Sequence, residues 1–271
     1  MRLIMRPPSA AMSRALSEHP ERDRIDPDRA ARQHQGYVRA LESTGIQVVL
    51  LPPEPELPDA CFTWDTVLAF PRPGTEGPAA LLVAARPGEP SRRPEVDSVM
   101  QCARRLAPAA RVVEIQQPGT LDAGDVIVYG DRVAIGVSAR SNRAGGTQLA
   151  DAVQRLGYRA CLCPVDDRLH LATAVTPLGA RRLIGTRAGF ASLDAAGADV
   201  VPQGEIERLV IPDEEIVAAN VLAIAGKCFV NRGYPRAVEA MGSVGESVVE
   251  VELDEFTRAD GGPTCLVAPI P

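Results

Sequence analysis

The chain has 271 residues, 45% of them hydrophobic and 4% aromatic, with a net charge of -6. That length suits one large domain or two small ones, with a core built from Ala, Val, Leu and Ile. The acidic balance and the lack of a basic block argue against a nucleic-acid partner, and "MRLIMRPPSA" holds no apolar run long enough for a signal peptide or a membrane span.

In chain order, "RLIM" (Arg2 to Met5) reads as a strand, followed by a polar, Pro- and Arg-rich loop to about Pro27. Residues Ala30, His34, Tyr37, Val38 and Leu41 then recur at helical spacing, and Gly45 closes that helix. "IQVVLLPP" is the next strand, ended by prolines. After it a theme repeats: strand, tight turn, strand, helix, strand. "FTWDTVLAF", "AALLVAARPG", the helix around "PEVDSVMQCARRL" and "RVVEI" make one unit. "AGDVIVYGDRVAIGVSARSN", "GTQLADAVQRLG" and "YRACLCPV" make a second, with Gly130-Asp131 as its hairpin signal. "ANVLAIAGKCFVN", "PRAVEAMG" and "SVVEVEL" make a third, Pro235 suiting the first turn of its helix. Residues 169–211 read as a more degenerate fourth. Such units each expose an apolar face that only a neighbour covers, so a ring of them needs closing. A tail strand after Cys265, placed beside the N-terminal strand, supplies that closure and orders both chain ends.

Few residues are equipped for chemistry. Lys227 is the single lysine, arginine being the general basic residue here, so an isolated arginine carries little functional weight. Six cysteines without repeated spacing predict free thiols in a reduced, cytoplasmic protein. Cys161 and Cys163 fall on one face of a strand, which favours core packing over a metal site. Cys265, in "DGGPTCLVAPI", is either a buried filler thiol or a nucleophile at the mouth of a site. Of three histidines, His19 is expected in solvent and His34 on a half-buried helix face; His170, in "LHLATAV", has a free choice between core and channel. Asp122 and Asp125 in "PGTLDAGDVIVYG", and Asp59 and Asp65 in "PDACFTWDTVL", stand at strand starts. Carboxylates there commonly cap turns, but a ring of repeats brings equivalent strand ends to one place.

The stretches "RPGEPSRRPE", "PGTLDAGDVIVYGD", "IGVSARSNRAG", "LHLATAV", "GYPRAVEAM" and "DGGPTCLV" resemble, in that order, dimethylarginine dimethylaminohydrolase (dimethylargininase), of the pentein or guanidine-modifying superfamily that includes arginine deiminase. The resemblance spans essentially the whole chain. It implies an α/β fold: a five-bladed α/β propeller of repeated ββαβ units around a central channel, as one catalytic domain over residues 1–271. It implies Cys265 as nucleophile, His170 as general acid/base and Asp122 where the family usually has glutamate. Asp65 matches a second carboxylate gripping the guanidinium. Arg92 and Arg140 match arginines that receive the substrate α-carboxylate. Asp59 and Leu16 lie around the amino-acid end, Leu16 on a mobile lid loop (residues 7–27).

Two departures from the family pattern stand out. Asp122 is one methylene shorter than glutamate, setting its carboxylate back by about 1.5 Å. Trp64 replaces an acidic residue, removing a negative charge and adding an indole face suited to stacking on a cation. The implied activity is hydrolysis of an Nω-substituted arginine to citrulline and an alkylamine through a covalent thiouronium, with no metal and no organic cofactor. The partner expected is a small guanidine amino acid, and the sequence leaves a homodimer open. The rivals are the same chemistry on another guanidine or amidine, and a non-catalytic ligand-binding pentein. A metal-dependent ureohydrolase is disfavoured by the lack of His and Asp at ligand spacing.

Overall fold

Five three-stranded sheets are built on one plan: two antiparallel strands, then a third parallel to the second. A computed structural model describes residues 1–166, 168–197 and 205–271. The chain starts in the middle of a sheet with β1 (Arg2–Met5), followed by helix α1 (Pro27–Glu42) and the parallel strand β2 (Gln47–Leu50). The second sheet holds β3 (Val67–Phe70), β4 (Leu81–Ala84), α2 (Glu95–Leu106) and β5 (Arg111–Glu114). The third holds β6 (Val126–Tyr129), β7 (Arg132–Val137), α3 (Arg143–Gln154) and β8 (Arg159–Pro164). The fourth holds β9 (Val175–Pro177), β10 (Arg182–Gly185), α4 (Arg187–Ala195) and β11 (Glu207–Val210). The fifth holds β12 (Leu222–Ile224), β13 (Lys227–Asn231), α5 (Pro235–Ser243) and β14 (Val248–Val251). A short helix α6 (Asp254–Thr257) leads to β15 (Ala268–Ile270), which pairs antiparallel with β1, Leu3 opposite Pro269, and completes the first sheet.

The local reasons for these elements are direct. A parallel pair needs a long crossover, and a helix supplies it in every sheet. Middle strands β4, β7 and β10 are almost wholly buried, which is why they read as unbroken apolar runs. Third strands β2, β5 and β11 are exposed at both ends and half-buried between. Asp26 caps α1, accepting from the Asp28 and Arg29 amides ahead of a first-turn proline; Asn142 and Thr186 cap α3 and α4 the same way. Pro235 opens α5 as the sequence implied.

The first strands of the sheets neighbour one another: β15 lies against β3, β6 against β9, and β9 against β12. The core lies outside them, in apolar clusters between sheets and helices. Aromatics are few, and edge-on pairs such as Tyr37–Phe229 at 5.9 Å and Phe70–Tyr158 at 5.7 Å each lie within one of these clusters. Cys161 and Cys163 sit with their sulfurs 3.6 Å apart and pack against the cluster of Tyr129, Phe190 and Leu193. Among the described residues, no helix is long and apolar enough to cross a membrane.

Candidate active site

The turn ahead of each sheet's first strand carries a polar group, and the ring brings these turns together. Asp65 lies in the 3-10 turn before β3, Asp122 and Asp125 at the turn before β6, and His170 at the turn before β9. Asn220 follows the turn before β12, and Cys265 stands just ahead of β15. His170, Asn220 and Cys265 line one cavity of about 1050 Å³. A small recess of about 30 Å³ beside it is lined by Leu16, Asp59, Asp65, Arg92, Arg140, His170 and Cys265. A separate groove of about 720 Å³ between α2 and the end of β5, lined by Arg86, Met100 and Glu114 among others, contains no cysteine or histidine.

His170 is the centre of this arrangement. Its Nδ1 lies 3.3 Å from Asp125 Oδ2, and its Nε2 lies 3.8 Å from Asp122 Oδ2 and 4.0 Å from Asp65 Oδ1. Asp125 is held in turn by the Ser138 hydroxyl at 2.7 Å and the Leu171 amide at 3.0 Å. Burial opposes a charge on the imidazole, but Asp125, Asp65 and Asp122 outweigh it and raise the histidine to about 9. The ring is therefore an imidazolium at neutral pH.

The carboxylates differ in their support. Asp122 is fully buried; its Oδ1 accepts from the Gly88 amide at 2.9 Å, while Oδ2 has no hydrogen-bond partner among the described residues. Burial pushes Asp122 above the ordinary carboxylate range, against the pull of His170. Burial acts on Asp65 likewise, but Arg92 at 2.7 Å, His170 and the Gly124 amide at 2.9 Å hold it below that range. Gly124 must be glycine for this contact: a Cβ there would meet the His170 ring at 2.8 Å and Asp65 Oδ1 at 2.9 Å. Burial and the nearby Asp65 charge push the Cys265 thiol up to about 11.

Among the described residues, Asp65, Asp122 and His170 are the one group with the spacing of metal ligands, within 4.8 Å of one another. The sequence reading expected no His and Asp cluster at ligand spacing; the fold makes one by bringing together turns from the second, third and fourth sheets.

Other residues singled out from the sequence fall at the rim or behind it. The loop before α1 is docked: the Leu16 amide donates to Asp59 Oδ1 at 3.1 Å, the Ser17 hydroxyl to the Arg258 carbonyl, and the Glu18 amide to Asp260 Oδ2 at 2.8 Å. Arg140 lines both cavities and forms no ion pair among the described residues. Arg92 borders the recess but is already engaged, with Glu95 at 2.9 Å as well as Asp65. Trp64 lines neither cavity. Its indole N–H donates to the Ala123 carbonyl at 2.7 Å and its amide to the Cys265 carbonyl at 3.1 Å, so the ring packs behind the wall. The stacking face expected of Trp64 is turned into the protein because the indole N–H finds its acceptor there. Three participants escaped the sequence reading: Asp125 as the partner of His170, Glu95 behind Arg92, and Asn220. Glu95 stands three residues after Arg92, one helical turn, which is a readable signal.

This fold and this set of groups define a pentein-type hydrolase of carbon–nitrogen bonds in linear amidines. The sequence profile described as "N,N dimethylarginine dimethylhydrolase, eukaryotic" matches residues 7–175. The N(G),N(G)-dimethylarginine dimethylaminohydrolase of Pseudomonas aeruginosa is 32% identical over 88% of this chain and 87% of its own length. Its counterpart in Streptomyces coelicolor is 32% identical over 97% of this chain and 94% of its own. The solved structure of the Pseudomonas enzyme, a cysteine-to-serine variant complexed with citrulline, superposes with a TM-score of 0.85 at 29% identity, covering 98% of both chains. The chain belongs to the dimethylarginine dimethylaminohydrolase family.

Proposed function

We propose that this protein hydrolyses an Nω-substituted arginine of the dimethylarginine type, releasing citrulline and an alkylamine, with Cys265 as nucleophile and His170 as acid/base. The observation that carries this reading is the placement of Asp65 and Asp122 within 4.0 Å of His170 Nε2, beside the cavity that His170 and Cys265 line.

A guanidinium is a poor electrophile because its charge is spread over three nitrogens. Asp65 and Asp122 hold it by charge-assisted hydrogen bonds and present its planar carbon to the sulfur; the unpartnered Asp122 Oδ2 is an acceptor suited to that task. The substrate's positive charge favours loss of the thiol proton, which burial and Asp65 otherwise resist. The thiol proton leaves to solvent, His170 being already protonated, and the thiolate adds to the guanidinium carbon. His170 gives a proton to the departing amine as the carbon–nitrogen bond breaks, leaving an S-alkylthiouronium. Neutral His170 then takes a proton from water as its oxygen attacks the same carbon. The carbon–sulfur bond breaks, the hydroxyl's remaining proton passes to the released amine or to solvent, the neutral ureido product leaves, and thiolate and imidazolium are restored. Asp59 and Arg140, with Leu16 above them, receive the amino-acid end in the adjoining recess.

One feature favours a second reading, in which the same chemistry acts on a differently substituted guanidine: the shorter Asp122 accepts from the Gly88 amide and keeps one buried oxygen without a hydrogen-bond partner among the described residues. Citrulline and amine release measured over arginine, monomethylarginine, dimethylarginine and bulkier analogues separates the two. Highest kcat/KM on dimethylarginine supports the first; a clear preference for another analogue supports the second; no product from any guanidine refutes both.

A further inference from the structure

We infer that Asn220 is a positioning residue that holds the nucleophile turn and donates its amide N–H to the Cys265 sulfur as that sulfur becomes a thiolate. The inference rests on the role proposed for Cys265. It begins from the symmetry of the ring. Four sheets place a reacting group just ahead of their first strand, as Asp65, Asp122, His170 and Cys265. At the matching place in the fifth sheet stands Asn220, two residues before β12 opens at Leu222.

The contacts of Asn220 are those of a spacer between the nucleophile and the acid/base. It is buried, with Nδ2 2.7 Å from Thr264 Oγ1, 3.8 Å from Cys265 Sγ and 3.4 Å from the Ala172 carbonyl. Its Oδ1 accepts the Thr264 amide at 3.0 Å. Thr264 immediately precedes Cys265, and Ala172 lies in the turn that follows His170. One carboxamide thus ties together the two turns whose spacing sets the reaction. The fit is close: a Cβ on Gly262 would come within 2.6 Å of Asn220 Oδ1, so only glycine lets the nucleophile turn lie against the amide.

A thiol is a weak acceptor and a thiolate a strong one, so an N–H aimed at the sulfur stabilises the charged form selectively. Cys265 needs such help, because burial and Asp65 both disfavour its ionisation. The Thr264 hydroxyl, 3.9 Å from Sγ, is a second donor within reach. The charged groups that line the recess with the sulfur are Asp59, Asp65, Arg92, Arg140, His170 and Asp260. The uncharged amide adds no titration of its own.

The test is the pH dependence of iodoacetamide alkylation at Cys265, followed on its own peptide, in the wild type, Asn220→Asp and Asn220→Ser. Asn220→Asp keeps the side-chain volume and the acceptor for the Thr264 amide, so a fold held by that contact persists. It replaces the donor to sulfur by an acceptor and adds a negative charge, so the uncharged Asn220→Ser isolates the lost N–H. The alkylation midpoint should rise by at least about one pH unit, a tenfold change in the ionisation equilibrium. Turnover of a guanidine substrate should fall at least about tenfold in kcat with KM nearly unchanged, the mark of an interaction made in the transition state. Asn220→Ser, short of the sulfur, should shift the midpoint in the same direction. An unchanged midpoint in Asn220→Ser, whatever Asn220→Asp does, overturns the inference. Because iodoacetamide is not a guanidine, the alkylation result stands even if the substrate reading fails; turnover surviving in Cys265→Ser would instead sink the reading on which it rests.

Discussion

Arg92 Nη1 lies 2.7 Å from Asp65 Oδ2 while Nη2 of the same guanidinium lies 2.9 Å from Glu95 Oε2. Two buried carboxylates therefore share one arginine, and Arg92 has little charge left for a substrate carboxylate. Arg140 is the freer of the two. We predict that Arg140→Ala raises KM for amino-acid guanidines by about 10–100-fold, the loss of one charge-assisted hydrogen bond worth about 1.5–3 kcal/mol. Decarboxylated substrates such as agmatine derivatives should be poor from the start and indifferent to this change. Arg92→Ala should instead destabilise the fold by about 3–5 kcal/mol, leaving Asp65 and Glu95 unpaired. If decarboxylated substrates match their parents in kcat/KM, the recess does not hold an α-carboxylate.

Cys265→Ser should abolish turnover without unfolding, since a neutral hydroxyl is a far weaker nucleophile than a thiolate. More than about a tenth of the wild-type rate would remove Cys265 from the mechanism. His170→Ala should cut kcat more than it raises KM. Asp125→Asn leaves the imidazole in place but removes a charge 3.3 Å from Nδ1, so it should lower the histidine pKa, visible by NMR titration. An unmoved titration would deny Asp125 that part.

The free enzyme pairs a thiol raised to about 11 with an imidazolium raised to about 9. Alkylation of Cys265 should therefore climb steeply on the alkaline side of neutrality. An unreactive guanidinium ligand small enough to leave the sulfur open should move that climb to lower pH, because its positive charge favours the thiolate. A shift to higher pH, or none, would contradict activation of the thiol by the substrate's charge.

Trp64 and Asp122 act through one turn, since the indole holds the carbonyl of the residue after Asp122. Trp64→Phe keeps an aromatic ring but strands that carbonyl, at about 1–3 kcal/mol. We expect a loss of kcat with little change in the apolar packing. Trp64→Glu and Asp122→Glu together should improve dimethylarginine relative to other guanidines, with a coupling energy of about 0.5 kcal/mol or more between the two sites. Strict additivity, with dimethylarginine already preferred, would mark both residues as drift.

His34 is a buried histidine that burial drives down to about 4 from 6.5. The unfolded chain takes up a proton at this residue more readily than the native one across that window. Native stability therefore falls as pH drops from about 6.5 toward 4, by up to about 3 kcal/mol from this residue. In denaturant titrations at neutral and acid pH, His34→Leu should lose correspondingly less on acidification. Equal acid sensitivity in both proteins would show the group to be irrelevant.

The repeats were readable because each unit pairs a buried strand run with a helix, and that alternation survives in the residue pattern. The meeting of the acids was readable because Asp65 and Asp122 stand at equivalent strand starts, while His170 and Cys265 were singled out by the family resemblance. What stayed hidden depends on direction. Asp122 and Asp125 are two acids in one turn, and nothing in their spacing says that one lies against Nε2 of the imidazole and the other against Nδ1. Trp64 was given an open face because its neighbour Asp65 has one, whereas the indole follows its N–H to Ala123 and turns inward. Asn220 has no chemistry of its own to betray it; its importance lies in what it touches.

The candidate site draws at least one group from each of the five sheets, so it has no local address in the chain. Opening any single sheet displaces a participant and silences the whole centre. Activity should accordingly be lost on heating when the least stable sheet opens, before average secondary structure reports a change. A ligand seated between the five turns works in the opposite sense. It engages all the sheets at once and acts as a hub pin, so its binding energy resists every route by which the ring can open.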